Sequence, residues 1–450
     1  MKNILFLYLF IISFTSHAQI EGTWSGNIEL PTSKLPFVLH ITTENNTLKA
    51  TADSPDQGAY GINIQEIKFE NNKLFLKDAR MFMTYEGDLL NNNINGIFKQ
   101  GGQKFTLNFT KGEFKRNRPQ EPHPPFNYKI EEVTFENKAS KIKLAGTLTM
   151  PSTGKNFPAI VLVSGSGPQD RNEELFNHKP FWVIADYLTK QGYAVLRYDD
   201  RGVGESGGDF ENATTFDFAD DANNAVDFLK SIKEINAKKI GVLGHSEGGM
   251  VAQIIAAQRK DIAFIVSMAG PGIAIDALML KQKYDVEKSS GVPEQALNAN
   301  QVLFRKIYEI IKMNDSSEKI EQEITNYIKS NPSYTNLSSE EIKQLTDLVN
   351  NNWFTTFVRY NPENYFSKIK AKALILNGDK DVQVAAIENL NGWEKGMVHN
   401  KKVTIKKYSN LNHLFQKAKT GMPDEYGAIE TTIEPFVLED ISNWLNQNIK

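Results

Sequence analysis

The chain has 450 residues, of which 40% are hydrophobic and 23% are charged, and its formal net charge is −3. This length exceeds one typical domain, so we expect two or more compact units. The nearly balanced charge gives no overall electrostatic attraction to nucleic acid or to an anionic membrane, and neither is expected as a partner. Cysteine is absent, which excludes disulfides, a thiol nucleophile and a thiolate metal site.

Residues 1–18 have the pattern of a secretory signal peptide. The basic residue Lys2 precedes an apolar run over residues 4–12, and small residues lead up to Ala18. The apolar run is too short for a comfortable membrane span, and a retained membrane anchor is the alternative. We therefore expect cleavage after Ala18, no membrane contact of the mature chain, and a periplasmic or secreted protein.

Residues 19–115 alternate short strand-like runs with asparagine-rich turns. The runs include residues 37–41, 74–76, 94–98 and 105–109. Short strands at regular spacing with such turns predict a small antiparallel β domain. Its aromatic residues are expected to form its core.

Residues 116–127 form a proline-dense linker. Pro119, Pro122, Pro124 and Pro125 lie within seven residues, and proline at this density continues neither a sheet nor a helix. The domain boundary is predicted here.

From residue 128 to residue 450 the pattern changes to alternating strands and helices. Strands are predicted at residues 159–163, 194–198 and 240–243, with helices at 181–191 and 216–232 and a last helix at about 435–448. This alternation predicts an α/β fold, with a mostly parallel sheet and helices on both faces.

At about residues 273–365 the alternation stops, and the chain is mainly helical and polar. Apolar residues at helical spacing over residues 302–311 indicate an amphipathic helix. An insertion between two core strands predicts a helical cap over a site. The alternative is a helical appendage without substrate contact.

The segment Gly244-His245-Ser246-Glu247-Gly248 lies between a predicted strand and a predicted helix. It fits the G-x-S-x-G nucleophile elbow, in which a serine occupies a strained strand-to-helix turn. Glycines on either side keep clashing side chains away from that turn. Ser246 is therefore the candidate nucleophile.

An activated serine requires a base and a carboxylate that orients the base. In this fold the acid and then the histidine follow the serine along the chain, each after a strand. Asp379 and Asp381 follow the strand that ends at Asn377, and His413 follows the strand that ends at Tyr408. We prefer Asp381, which lies farther from its strand, but the sequence leaves Asp379 open.

Oxyanion donors are expected from backbone N–H groups. One belongs to the residue after the serine, Glu247, and the second to the loop after the strand at residues 159–163. That loop contains Ser164, Gly165, Ser166 and Gly167. Ser166 is the preferred donor, and Gly167 is the alternative.

Together these motifs resemble the α/β-hydrolase superfamily over residues 129–450. The resemblance includes the Gly165-to-Pro168 loop, the Arg197-to-Ser206 turn, the elbow, Gly378-to-Asp381 and the His413 loop. More narrowly, the chain resembles exported bacterial serine esterases of the prolyl-oligopeptidase-like branch. One departure is Ser164, where many relatives have a histidine. The resemblance implies that the Arg201-to-Ser206 turn is structural.

The sequence therefore predicts a serine hydrolase that cleaves carboxylic esters of small or medium acyl groups through an acyl-enzyme. A peptidase or a thioesterase would use the same triad, and a non-catalytic ligand-binding protein is the alternative from another class. A peptidase of this branch would carry a propeller much larger than the amino-terminal domain. We expect no cofactor, because the chain lacks a phosphate-binding motif and the spacing of metal ligands.

Overall fold

The computed structural model describes residues 17–30, 34–57, 59–334 and 337–450. The chain divides into two compact units, Met1–Asn117 and Arg118–Lys450. The predicted signal peptide, residues 1–18, falls almost entirely outside the described residues. Within these ranges no helix is long and apolar enough to cross a membrane.

The amino-terminal unit is an antiparallel sheet preceded by a short helix, α1 (His17–Ile20). Its described part has nine strands in the order β4-β3-β2-β1-β9-β8-β7-β6-β5. The strands are β1 (Gly22–Glu29), β2 (Lys34–Glu44), β3 (Thr47–Ser54), β4 (Ala59–Asn63), β5 (Glu66–Glu70), β6 (Lys73–Asp78), β7 (Met83–Leu90), β8 (Asn93–Gln100) and β9 (Gln103–Lys111). Asn45, Asn46, Asn71 and Asn72 adopt positive φ between strands, which asparagine tolerates and tight hairpin turns require.

Aromatic side chains of the unit itself fill its interior. Trp24, Tyr85 and Phe109 are almost fully buried, and Tyr85 contacts the ring of Phe109 edge to face. Gly87 and Gly96 leave room for Tyr85, because a Cβ at either position would collide with its ring. The hydroxyl of Tyr85 donates to the carbonyl of Leu107 at 3.1 Å. A packed aromatic core therefore stabilises this sheet. Phe82 is an exception to the expectation that the aromatic residues form the core, because it is 79% exposed.

The second unit contains a mixed sheet whose described strands run in the order β10-β11-β13-β12-β14-β15-β16-β17. The pairs β10-β11 and β11-β13 are antiparallel and the following pairs are parallel. The strands are β10 (Tyr128–Asn137), β11 (Ile142–Pro151), β12 (Phe157–Val163), β13 (Ala194–Tyr198), β14 (Ile235–His245), β15 (Phe264–Met268), β16 (Lys372–Gly378) and β17 (Val403–Tyr408).

Helices cover both faces of this sheet, which gives it two hydrophobic cores. They are α2 (Pro180–Lys190), α3 (Thr215–Ser231), α4 (Glu247–Gln258), α11 (Ala386–Gly396) and α12 (Pro435–Asn448). Two helix starts follow from local chemistry: Pro180 occupies the first turn of α2, and Thr214 and Asp217 form a capping box at α3. The α/β fold with a preceding β domain is thus as predicted. Strand β14 begins earlier than expected because Ile235 pairs with Phe157 ahead of a register shift.

Between β15 and β16 the described chain is helical. The helices are α5 (Ile275–Ser289), α6 (Glu294–Met313), α7 (Ser317–Ser330), α8 (Ser339–Val349), α9 (Asn352–Arg359) and α10 (Glu363–Phe366). Leu303, Ile307 and Ile311 lie on one buried stripe of α6 and belong to a hydrophobic core separate from those of the sheet. The apolar residues of α6 recur at helical spacing because one face of this helix is buried in that core.

Candidate active site

Ser246 occupies the sharp turn between β14 and α4. Its φ of 53° and ψ of −118° are strained for a residue with a side chain. Two glycines make the turn possible: a Cβ at Gly244 would collide with the carbonyl of Gly248, and a Cβ at Gly248 would collide with that of Val163. The N–H of Ser246 donates to the carbonyl of Met268 at 2.9 Å. The serine is thus held at the carboxyl end of the parallel strands.

His413 and Asp381 form a buried hydrogen-bonded pair. Nδ1 of His413 lies 2.7 Å from Oδ2 of Asp381. The other carboxylate oxygen, Oδ1, accepts the backbone N–H groups of Gln383 and Val384, each at 2.8 Å. Asp379 instead accepts the N–H of Asn410 at 2.7 Å. Of the two aspartates that the sequence left open, Asp381 is therefore the one in contact with the histidine.

The loop that holds His413 is stabilised by Asn412. Its Oδ1 accepts the N–H groups of Leu414 at 3.0 Å and Gln416 at 2.9 Å. Asn412 is fully buried, so these bonds are shielded from competition with water. These bonds order the loop that carries the imidazole of His413.

The loop after β12 contains Ser166 and Gly167, the alternative oxyanion donors, and Gly167 adopts a φ of 98°. Asp200 fastens this loop, since it accepts the hydroxyl of Ser164 at 2.9 Å and the N–H of Gln169 at 3.1 Å. Burial raises the pKa of Asp200 well above the ordinary range of an aspartate. At position 164, where many relatives have a histidine, this chain thus has a serine that donates to a buried carboxyl group.

Gly165 is not available as an oxyanion donor, because its N–H donates to Oε1 of Glu173 at 2.7 Å. The N–H of Glu247 is the first of helix α4, where backbone N–H groups have no partner within the helix. The candidate donors therefore remain Glu247 together with Ser166 or Gly167.

A cavity of about 360 Å³ connects these elements. Ser246, His413, Ser166 and Glu247 are among the residues that line it. The inserted helices contribute a largely apolar wall, formed by Leu278, Met279, Gln282, Trp353 and Phe357. Helices α5 and α9 therefore contact the site directly, as a cap would.

The carboxyl group of Glu247 connects the elbow to the inserted helices. It accepts the hydroxyl of Thr215 at 2.5 Å and the indole N–H of Trp353 at 3.0 Å. Burial raises the pKa of Glu247, and its hydrogen bonds to Thr215, Trp353 and Ser166 oppose that rise. The side chain of Trp353 is further ordered by stacking on Phe357, with ring centroids 4.9 Å apart.

Sequence reasoning did not identify three side chains of this site: Glu173, His245 and Trp353. His245 lies inside the elbow motif, where only the serine and the glycines carry a stated role. Glu173 and Trp353 have no motif, and only the folded chain brings them to the cavity. A histidine next to the nucleophile was the one available signal.

Comparison with known proteins places the carboxyl-terminal part of the chain in a family. The model of the X-Pro dipeptidyl-peptidase (S15) family matches residues 140–408, more than half of the chain. Esterase EstD of Thermotoga maritima is 26% identical over 433 residues, covering 91% of this chain and 93% of that protein. The uncharacterized protein PA2218 of Pseudomonas aeruginosa is 32% identical over 149 residues, covering 32% of this chain and 38% of that protein.

Among solved structures, the esterase Pf2001 of Pyrococcus furiosus is similar with a TM-score of 0.46 and 18% identity, covering 75% of this chain and 100% of that one. The residues matched by the family model include strands β11 to β17 and the elbow. The chain therefore belongs to the X-Pro dipeptidyl-peptidase (S15) family and has an α/β-hydrolase fold.

Proposed function

We propose that the protein is a serine hydrolase that cleaves carboxylic esters through an acyl-enzyme intermediate. One observation carries the proposal: Ser246 and His413 line the same cavity, and Asp381 is hydrogen-bonded to the far side of the His413 ring. This is the arrangement of nucleophile, base and orienting acid that acyl transfer requires.

In the first half of the reaction, Oγ of Ser246 attacks the ester carbonyl while Nε2 of His413 takes the hydroxyl proton. Asp381 keeps the other ring proton on Nδ1, so that Nε2 is free to accept. The backbone N–H of Glu247 and that of Ser166 or Gly167 stabilise the oxyanion. His413 then protonates the departing alcohol, and in the second half it activates the water that releases the acid.

The cavity favours uncharged acyl groups of small or medium size. Its volume of about 360 Å³ is at the lower end of the range of ligand pockets. Leu278, Met279 and Phe357 provide apolar surface, and the raised pKa of Glu247 favours its neutral form. An anionic acyl group would find no lysine or arginine among the described residues that line this cavity to replace its hydration.

The ester substrate is favoured by the relative EstD, which is named an esterase and resembles this chain along most of its length. The family takes its name from a peptidase, the X-Pro dipeptidyl-peptidase, so peptide hydrolysis is the second candidate activity. A thioesterase would use the same groups. Matched ester, thioester and aminoacyl-amide substrates with one common acyl group separate the three activities directly.

The decisive test compares the wild type with Ser246→Ala in the hydrolysis of short p-nitrophenyl esters. We expect the variant to lose turnover and labelling by a fluorophosphonate probe while it retains its thermal unfolding midpoint. Ser442→Ala, which changes a buried serine of helix α12, is the matched control and should keep both. Turnover in Ser246→Ala equal to the wild type would refute the mechanism, and an unlabelled wild type would indicate a non-catalytic core.

The proposal includes the domain organisation and the location. A β domain over residues 19–115, a linker over residues 116–127, and a hydrolase domain over residues 128–450 with a cap at residues 273–365 are supported by the prolines and by the change of pattern. Export is supported by the pattern of residues 1–18 and the absence of cysteine. Amino-terminal sequencing of protein from periplasmic and medium fractions tests cleavage after Ala18.

A further inference from the structure

Behind the candidate triad lies a second pair of a histidine and an acid, formed by His245 and Glu173. Nδ1 of His245 is 2.9 Å from Oε1 of Glu173, and Nε2 of His245 is 3.0 Å from the backbone carbonyl oxygen of His413. The same Oε1 accepts the N–H of Gly165 at 2.7 Å. The pair therefore connects three segments: the elbow, the His413 loop and the oxyanion loop.

The hydrogen bonds determine where the protons are. The carbonyl oxygen of His413 can only accept, so Nε2 of His245 must carry a proton. Nδ1 faces Oε1 of Glu173 at hydrogen-bond distance, 2.9 Å. Burial and the nearby carboxylate act in opposite directions on the pKa of His245, and the net effect, with Glu173 as the main favourable partner, raises it. The buried carboxylate of Glu173 therefore favours the protonated form of the His245 ring.

Two further features are unusual for side chains without a role. Both members are nearly fully buried, with Glu173 1% and His245 5% exposed. In addition, Glu173 adopts a φ of 52°, a left-handed conformation that glutamate rarely adopts. Such strain persists where surrounding contacts over-determine it, and it concentrates at functional sites.

We propose that His245 and Glu173 are positioning residues for the hydrolytic reaction: they hold the backbone of His413 and the oxyanion loop in register with Ser246. The inference rests on the proposed function, because it assigns a role in the same reaction. Neither residue exchanges a proton with substrate. His245 bonds the carbonyl of His413 and so fixes the position of the His413 imidazole relative to Ser246. Glu173 bonds the N–H of Gly165 and so fixes the N–H groups of the following residues of the oxyanion loop.

Two amide substitutions of His245 distinguish the effect of its bond to Glu173 from the effect of its bond to His413. In His245→Asn the side-chain nitrogen occupies the position of Nδ1, so it reaches Glu173 but not His413. In His245→Gln it occupies the position of Nε2, so it donates to the carbonyl of His413. We expect His245→Asn to lower kcat by about 10- to 100-fold, the effect of a misplacement of about 1 Å. We expect His245→Gln to stay within about fivefold of the wild type.

Glu173→Gln tests the acid with a side chain of the same shape. Oε1 of Glu173 faces both Nδ1 of His245 and the N–H of Gly165. In Glu173→Gln the side chain places either an oxygen or an NH₂ group there, so it cannot satisfy both partners while Nε2 of a neutral His245 also donates to His413. We expect kcat to fall about 10-fold. Because Glu173 and His245 are 1% and 5% exposed and act through the backbone of other segments, KM should stay within about twofold in all three variants.

Asp221→Asn is the matched control for a buried charge. Asp221 accepts Arg201 Nε at 2.7 Å and the amide of Asn137 at 2.6 Å, and it does not line the cavity. It should lower the thermal unfolding midpoint and leave kcat unchanged. If His245→Asn does not fold, Glu173→Gln carries the test alone.

Losses of kcat at constant KM in His245→Asn and Glu173→Gln, with kcat retained in His245→Gln, would support the proposal. Wild-type kcat in His245→Asn or Glu173→Gln would overturn it, and so would equal losses in His245→Asn and His245→Gln. These results leave the proposed function intact if Ser246→Ala is inactive. A wild type without hydrolysis would overturn the proposed function, and this inference with it.

Discussion

The replacement of Asp381 by asparagine tests whether Asp381 is the acid of the triad. The carboxylate accepts the two N–H groups of Gln383 and Val384 through Oδ1 and contacts Nδ1 of His413 through Oδ2. In Asp381→Asn the amide oxygen is expected to keep both backbone bonds. The amide nitrogen then faces Nδ1 of His413.

An amide N–H donates, so Nδ1 must become the acceptor and the ring proton moves to Nε2 of His413. A ring protonated at Nε2 cannot accept the proton of Ser246. We therefore expect kcat to fall by about 10⁴-fold, or about 5 kcal/mol in activation free energy. The fold should be retained, because the backbone bonds of Oδ1 persist.

The assay is the steady-state hydrolysis of a short p-nitrophenyl ester, with circular dichroism as the check on folding. Asp379→Asn is the matched control, two residues away along the chain. Its side-chain oxygen can still accept the N–H of Asn410, so we expect its kcat to remain within about twofold of the wild type. A larger loss in Asp379→Asn than in Asp381→Asn would refute the reasoning.

Three further predictions concern contacts around the site and the core of the β unit. Burial raises the pKa of Glu247, so this group stabilises the fold below the pKa of an unfolded glutamate, and that contribution is lost as pH rises through the folded value. In Glu247→Gln the free energy of unfolding should therefore fall less steeply with rising pH than in the wild type. Urea titrations at several pH values from acid to neutral measure this slope, and a slope equal to that of the wild type would contradict a raised pKa of Glu247. Trp353→Phe removes the indole N–H from Glu247 and should lower the free energy of unfolding by about 1 kcal/mol, whereas an unaltered urea midpoint would show that this bond contributes nothing. Tyr85→Phe leaves the carbonyl of Leu107 without its donor and should destabilise the amino-terminal unit by about 1 kcal/mol with kcat unchanged; a lower kcat would link that unit to catalysis.

Much of the fold can be predicted from the sequence because local physical chemistry specifies it. Asparagines at positive φ mark the hairpins of the β unit. A capping box starts α3. The glycines at positions 244 and 248 permit the elbow because the backbone passes too close for a Cβ. The class of fold and the serine follow from such signals.

The sequence could not separate Asp379 from Asp381, because both follow the same strand and differ only in where the folded loop directs them. Nor could it identify Glu173, 72 positions before His245 along the chain. That pairing depends on how the loop after β12 meets the carboxyl end of β14. No periodicity or motif encodes it.

The sequence by itself therefore determined the alternation of strands and helices, the elbow and the order of serine, acid and histidine, because these depend on short-range patterns. The tertiary structure decided which aspartate contacts His413, which cap residues line the cavity, and which buried pair supports the His413 loop. The physical reason is that these contacts join distant segments whose side chains meet only when the sheet and the inserted helices are packed.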